Sequence, residues 1–286
     1  RDRSPSRGLG DVYKRQPYVN VGETLNQGID ANIEYSQQVG KVLLTARGNF
    51  TYNRNELVNN DEPDWQYKYQ NRTGKPFGSN GALQPFGLVA LGLFQSQEEI
   101  DNSPEQTYGE YRVGDIKYQD VNGDGKVDDQ DMVAIGYTNL PEITYGFGLG
   151  AQWNNWDVNV FFQGVARNSF FVGGSTISNP FSSGNMERAA VNEDVYGKVW
   201  MSTNTAEQNA NVIYPRLSRS GGAGASNNSK TSTWWLRDGS FMRLKNFEVG
   251  YTLPKSILTK TFIKSLRFYA SGNNLLTFSK FKLWDP

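Results

Sequence analysis

The chain has 286 residues, 37% of them hydrophobic and 13% aromatic, with 30 Gly, no Cys and no His, and 29 basic residues balanced by 29 acidic ones. This excludes disulfides, thiolate chemistry and Cys- or His-ligated metals, and removes the commonest general base. No basic stripe invites nucleic acid, no run of roughly 18 apolar residues marks a membrane helix, and so many aromatics do not suit a disordered chain.

Residues 1–16, RDRSPSRGLGDVYKRQ, are basic, aperiodic and without the apolar centre of a signal peptide. They read as a non-native, disordered lead resembling translated sequencing adapter; without them the chain is mildly acidic. The remainder, 17–286, carries the fold. Ile29, Ala31, Ile33 and Tyr35 alternate with Asp30, Asn32, Glu34 and Ser36, which predicts a strand over 29–36. A short turn around Gln38 to Lys41 leads into a second strand, 42–54. There Val42, Leu44, Ala46, Phe50 and Tyr52 share a face opposite Thr45, Arg47, Asn49, Thr51 and Asn53.

A long connection, about 55–142, separates this hairpin from a third strand, 143–153, which sets Ile143, Tyr145, Phe147, Leu149, Ala151 and Trp153 against Thr144, three glycines and Gln152. Asn154-Asn155, a pair that tolerates positive φ, turns the chain into a fourth strand over 156–164. A second long connection, about 165–240, precedes a fifth strand, 246–253. A turn beginning at Pro254 then leads to a sixth, 266–274.

Short turns alternating with very long connections, on strands with one apolar face, are the pattern of an outer-membrane barrel with short periplasmic turns and long extracellular loops. The fold expected is all-β: a partial antiparallel transmembrane β-barrel, seen as an open curved sheet. Tyr35, Tyr52, Trp153, Trp156 and Tyr251 would anchor it at the membrane interfaces. The competing reading is a secreted or surface calcium-stabilised β-sandwich that binds glycans. The two differ in where the apolar faces point: outward as one band about 25 Å tall in a barrel, or inward against each other in a sandwich.

One stretch has the composition of a metal site. In Asp120-Val-Asn122-Gly-Asp124-Gly125-Lys126-Val-Asp128-Asp-Gln-Asp131, oxygen donors fall at positions 1, 3, 5, 9 and 12 of a calcium loop. The Lys126 carbonyl would serve position 7, and Gly125 the sharp turn. A donor set of carboxylates and carbonyls suits structural Ca2+, which would order a long loop. Position 12 is the shorter Asp, and helices do not flank the loop. The alternative is an Asp/Gly turn whose carboxylates accept backbone amides. Trp234 and Trp235 could stack on sugar rings or pack the loop. GGAGASNNS (221–229) reads as flexible. The acid pairs Asp61-Glu62 and Glu98-Glu99 read as solvated, so no catalytic residues are assigned and an enzyme is not expected.

GDIKYQDVNGDG (114–125), PEITYGFGLGAQW (141–153) and VFFQGVARNSFF (160–171) together resemble the SusC/RagA-type TonB-dependent transporters of the Bacteroidetes. So do PYVNVGETLNQGIDANIEY (17–35), GLFQSQEEIDNSP (92–104), WLRDGSFMRLKNFEVGYTLP (235–254) and YASGNNLLTFSKFKLWDP (269–286), in the same order. The resemblance implies a 22-stranded barrel in the lipid of a Gram-negative outer membrane, occluded by an amino-terminal plug. It implies import of glycans or peptides with energy from the TonB complex, beneath a SusD-like surface lipoprotein. Nothing here resembles the plug or the TonB box, so the chain is expected to be a piece of the barrel's carboxyl-terminal half, unable to transport alone.

Overall fold

The computed structural model describes residues 22–77, 84–172, 197–218, 224–259 and 262–282. The lead at 1–16 lies outside these residues. Six long strands form one sheet: β1 (Glu23–Val39), β2 (Val42–Asn59), β3 (Ile143–Trp153), β4 (Trp156–Ala166), β5 (Phe241–Thr252) and β6 (Arg267–Ser279). They pair antiparallel in chain order, β1-β2-β3-β4-β5-β6. The sheet is therefore a meander with two unpaired edges, and among the described residues it does not close.

Local chemistry sets the turns. Gly40 (φ 59°) and Lys41 close β1 onto β2, and Asn154 (φ 52°) with Asn155 closes β3 onto β4. Both are two-residue connections requiring the positive φ that Gly and Asn accept most readily. A longer link with a short helix over Lys255–Leu258 joins β5 to β6. In a meander these three connections share one end of the sheet, and the long connections 60–142 and 167–240 share the other.

The register stacks the apolar residues in continuous rows across all six strands. The row nearest the turns runs Val39, Val42, Trp153, Trp156, Tyr251, Phe268. Further up come Tyr35, Ala46, Leu149, Val160, Phe247, Gly272, and above them Ile33, Gly48, Phe147, Phe162, Leu244, Leu276. The uppermost row includes Ile29, Tyr52 and Ile143. Trp153 and Ile143 stand ten residues apart in β3. At about 3.4 Å per residue, and at the tilt of about 40° usual in membrane barrels, the rows would span a band ~26 Å tall.

This band is open to the surroundings. Leu149 is 63% exposed, and Ile29, Ile33, Phe50, Trp153, Trp156, Phe268 and Phe278 are all exposed. No second sheet covers it among the described residues, because the remaining strands form two-stranded pieces within the loops. The sandwich reading required this face to be dry, and it is bare. Most of the buried apolar side chains lie instead in the loops, where Leu88, Leu93, Ile116, Tyr118 and Val127 make a core of their own.

Several bounds and one placement depart from expectation: β1 spans Glu23–Val39 rather than 29–36, and β2 runs to Asn59 rather than 54. β5 begins at Phe241 rather than 246, and β6 runs to Ser279 rather than 274. In both, a bulge shifts the register: around Lys245 in β5, and around Asn274 (φ 54°) in β6. An extra residue inverts the alternation beyond it, so Leu244 and Met242 stay on the apolar face although their parity differs from that of Phe247. Tyr35 also sits two rows above the turn-side aromatic row rather than in it, its hydroxyl donating to Gln37 Oε1 at 2.6 Å.

Candidate functional site

The polar face of the sheet is the first functional surface. Arg267 donates to Asp157 Oδ2 at 2.5 Å and Glu248 Oε1 at 2.6 Å, tying β4, β5 and β6 together near the turns. Arg47 lies over the Phe161 ring, 4.9 Å from its centroid. Between them Gly146, Gly148 and Gly150 take alternate positions of β3. A Cβ on Gly148 would come within 2.9 Å of both Arg47 Nε and Phe161, and one on Gly150 would strike Thr45 Oγ1. The glycines let the neighbouring side chains lie flat on this face of the sheet.

The second is the unit made by the two long loops. Its centre is a set of buried polar groups joining segments more than 100 residues apart. Asn228 Oδ1 accepts from Ile116 N (2.9 Å), and Asn228 Nδ2 donates to Asp115 Oδ1 (2.9 Å). Gln106 receives the Tyr118 amide on its Oε1 (2.7 Å) and donates through Nε2 to Asn227 Oδ1 (2.8 Å), while the Tyr118 hydroxyl donates to the Asn227 carbonyl. Asp115, fully buried, also accepts from Arg112 N and from Arg216 Nη2, each at 2.8 Å. Buried polar groups of this density hold because each finds a partner. Burial pushes the Tyr118 phenol above its ordinary range.

GDIKY (114–118) is thus the pin of the loop unit. Gly114 has φ 89°, and a Cβ there would run into the Trp200 ring. Sequence reasoning missed its partners: GGAGASNNS was expected to be flexible, yet in its described part, residues 224–229, a helical turn over Ala225–Asn228 buries Asn227 and Asn228. An Asn pair at the end of a Gly/Ser stretch was the one available signal.

The carboxylate loop folds as a compact turn against this unit. Asp120 accepts from Gly123 N (2.7 Å) and Gly125 N (2.9 Å), Asn122 Oδ1 from Asp124 N (2.9 Å), and Asp124 Oδ1 from Lys126 N (2.9 Å). Asp128 caps a 3-10 turn by accepting Gln130 N, and the Asp131 side chain reaches back to Asp128 N. Asp131 is buried and accepts from the Val121 and Asn122 amides as well. Among the described residues no group of three or more Asp, Glu, His or Cys side chains is gathered to hold a metal ion. Half-buried Asp120 and Asn122 and exposed Asp124 stand at calcium-loop spacing. Asp131, engaged by three amides, would have to exchange those donors to act as a ligand. Tyr69 donates to the Gln130 carbonyl (2.8 Å) and Tyr108 to Asp129 Oδ1 (3.1 Å), docking the turn on its neighbours. Burial, then the Asp129 charge, pushes the Tyr108 phenol well up.

Trp234 and Trp235 pack against the loop core, and the Trp235 indole N–H donates to the Asn228 carbonyl at 2.8 Å. Trp234 also borders a surface cavity of about 400 Å³ with Leu91, Val212, Ile213 and Arg237. One acid of each pair has a structural partner. Glu62 accepts from Arg72 N. Glu99 accepts from Gln95 N and pairs with Lys117 (2.9 Å), the amide first and then the ammonium holding its carboxyl below the usual range.

Comparison with known proteins agrees with this geometry. No protein-family profile matches the chain. It is 28% identical to the TonB-dependent receptor P3 of Formosa agariphila over 93% of this chain and 25% of that protein. To the TonB-dependent receptor P26 of the same organism it is 30% identical over 70% of the chain and 18% of the relative. To the TonB-dependent receptor SusC of Bacteroides thetaiotaomicron it is 22% identical over 97% of the chain and 25% of the relative. The chain thus spans about a quarter or less of these curated relatives. Among solved structures it superposes on the RagAB peptide importer in its open-open state with a TM-score of 0.60 at 22% identity, covering 92% of this chain and 26% of that one. The likeness to SusC/RagA-type TonB-dependent transporters holds in sequence and in fold.

Proposed function

We propose that this chain, alike in sequence and fold to SusC/RagA-type TonB-dependent transporters, supplies part of the lipid-embedded wall and of the outer loop cap of a nutrient importer in a Gram-negative outer membrane. One observation carries the reading. The apolar residues of six successive strands form a bare band of bilayer height, while the buried core sits in the loops at one end. In water such a face is a large exposed patch of the kind soluble monomers avoid; in lipid it is the required surface.

In this reading the polar face lines the import path for oligosaccharides or peptides. TonB supplies the energy, and a SusD-like lipoprotein rests on the loop end. In this reading the wall and the loops are structural, and no catalytic role is assigned to them. Calcium at Asp120, Asn122, Asp124, the Lys126 carbonyl and Asp128 would stiffen the outer loop. The amide ladder supports the competing view that the turn holds itself.

The test is site-directed spin labelling of the chain folded into lipid vesicles. Labels at consecutive positions 147–152 are expected to alternate, with 147, 149 and 151 open to oxygen dissolved in lipid and 148, 150 and 152 open to a water-soluble nickel chelate. Absence of that period of two would remove the wall assignment.

A further inference from the structure

We propose that the lipid-facing wall carries a site retaining one acyl chain of a glycerophospholipid in the leaflet on the turn side, a reading that rests on the wall assignment above. The register sets Ala46 between Tyr35 and Leu149 in one row, and Ala151 between Leu44 and Val158 in the row below. Two small side chains on a diagonal, flanked by larger ones, leave a groove of about 450 Å³ whose lining is almost wholly apolar. Large side chains close the neighbouring surface where Phe147 stacks on Phe162 at 5.0 Å.

Its occupant follows from depth. The groove begins one row above Trp153, Trp156, Tyr251 and Phe268, about 5 Å along the normal. It is continuous with the band that meets hydrocarbon. An apolar depression left empty forfeits dispersion contacts along its walls, and at this depth the material at hand is acyl chain. A polar side chain also lies beside the turn-side end of the groove. Gln37 sits one row below Tyr35 in the row that contains Leu44 and Ala151, and it is the sole amide side chain on the apolar face of β1 between Tyr35 and the turn. Tyr35 engages its carbonyl oxygen, which leaves the Gln37 amide N–H groups to an acceptor on the lipid. A chain lying on Ala46 and Ala151 fills the groove, with Gln37 as the polar group closest to its headgroup end.

The probe is a phosphatidylethanolamine bearing a photoactivatable diazirine on one acyl chain, incorporated at low mole fraction into vesicles holding the folded chain, with adducts mapped by peptide mass spectrometry. Leu44–Ala46 and Leu149–Ala151 are expected to be labelled about threefold or more above Phe268 and Leu276 on the same face, a preference of roughly 0.7 kcal/mol. Ala151→Phe and, independently, Ala46→Leu fill the groove and should reduce labelling there to the level of the rest of the face. Even labelling along the apolar face, unchanged by both substitutions, overturns the retained lipid and leaves the wall standing. Labelling of Asn159 and Ser271 on the polar face as strongly as Leu149 removes the wall itself.

Discussion

Placing an arginine at Leu149 tests the wall in energetic terms. Leu149 lies four residues above the Trp153 row, so at about 3.4 Å per residue and a ~40° tilt it sits ~10 Å into a band ~26 Å tall, close to the midplane. An arginine facing lipid there costs about 2–4 kcal/mol, a factor of roughly 30 to 1,000 in the folding equilibrium. Ser271 stands at similar height on the opposite face, beside Glu248. Arginine at Ser271 meets water and a carboxylate and should change stability by less than about 0.5 kcal/mol. Trp153→Arg, at the interface, should cost about 0–1 kcal/mol, since the penalty falls toward the headgroups. Equilibrium unfolding by guanidinium from vesicles, followed by tryptophan fluorescence, gives all three. Equal costs at Leu149 and Ser271, or no gradient from Leu149 to Trp153, would refute a membrane wall.

In the loop unit, Asp115→Ala removes the buried carboxylate that accepts from Arg112 N, Arg216 Nη2 and Asn228 Nδ2; a loss of about 2–3 kcal/mol is expected, read as faster amide exchange over 224–235 with the six-stranded sheet unchanged. Gly114→Ala meets both a positive φ and the Trp200 ring, and should release that indole, seen as a red shift in its emission. Tyr108 and Tyr118 both have phenols raised above the ordinary value of about 10 by burial. The stability they confer is whole below that value and is lost as pH rises through it, because the unfolded chain ionises first. The loops should therefore loosen in alkali before the sheet does, with delayed phenolate absorbance and an early rise in loop proteolysis. Calorimetry with Ca2+ should give one site that Asp124→Ala abolishes; no heat from the parent would leave the turn held by its amides alone.

Much of this protein is written in its period-two pattern. Strands 143–153 and 156–164 were placed to within two residues, and the Gly40-Lys41 and Asn154-Asn155 turns follow from residues that accept positive φ. The identity of the two faces follows as well, since one slip of register would turn every side chain over. The bulges at Lys245 and Asn274 were not readable. Each interrupts the alternation at a polar pair or a Leu-Leu step, and only pairing with a neighbouring strand shows that the strand continues. The depth of Tyr35 is of the same kind, because height in the membrane is set by register across strands and not by position within one.

The candidate sites divide along the same line. The spacing of Asp120, Asn122 and Asp124 is a local property and could be read directly. That Asp131 is buried under three amides could not, and nor could the pairing of Asn227 and Asn228 with a motif more than 100 residues earlier. Alternation and turn chemistry act over a few residues, so the chain alone decides them. The loop core and its polar pin depend on which distant segments meet once two hairpins stand side by side, and that is decided by the fold.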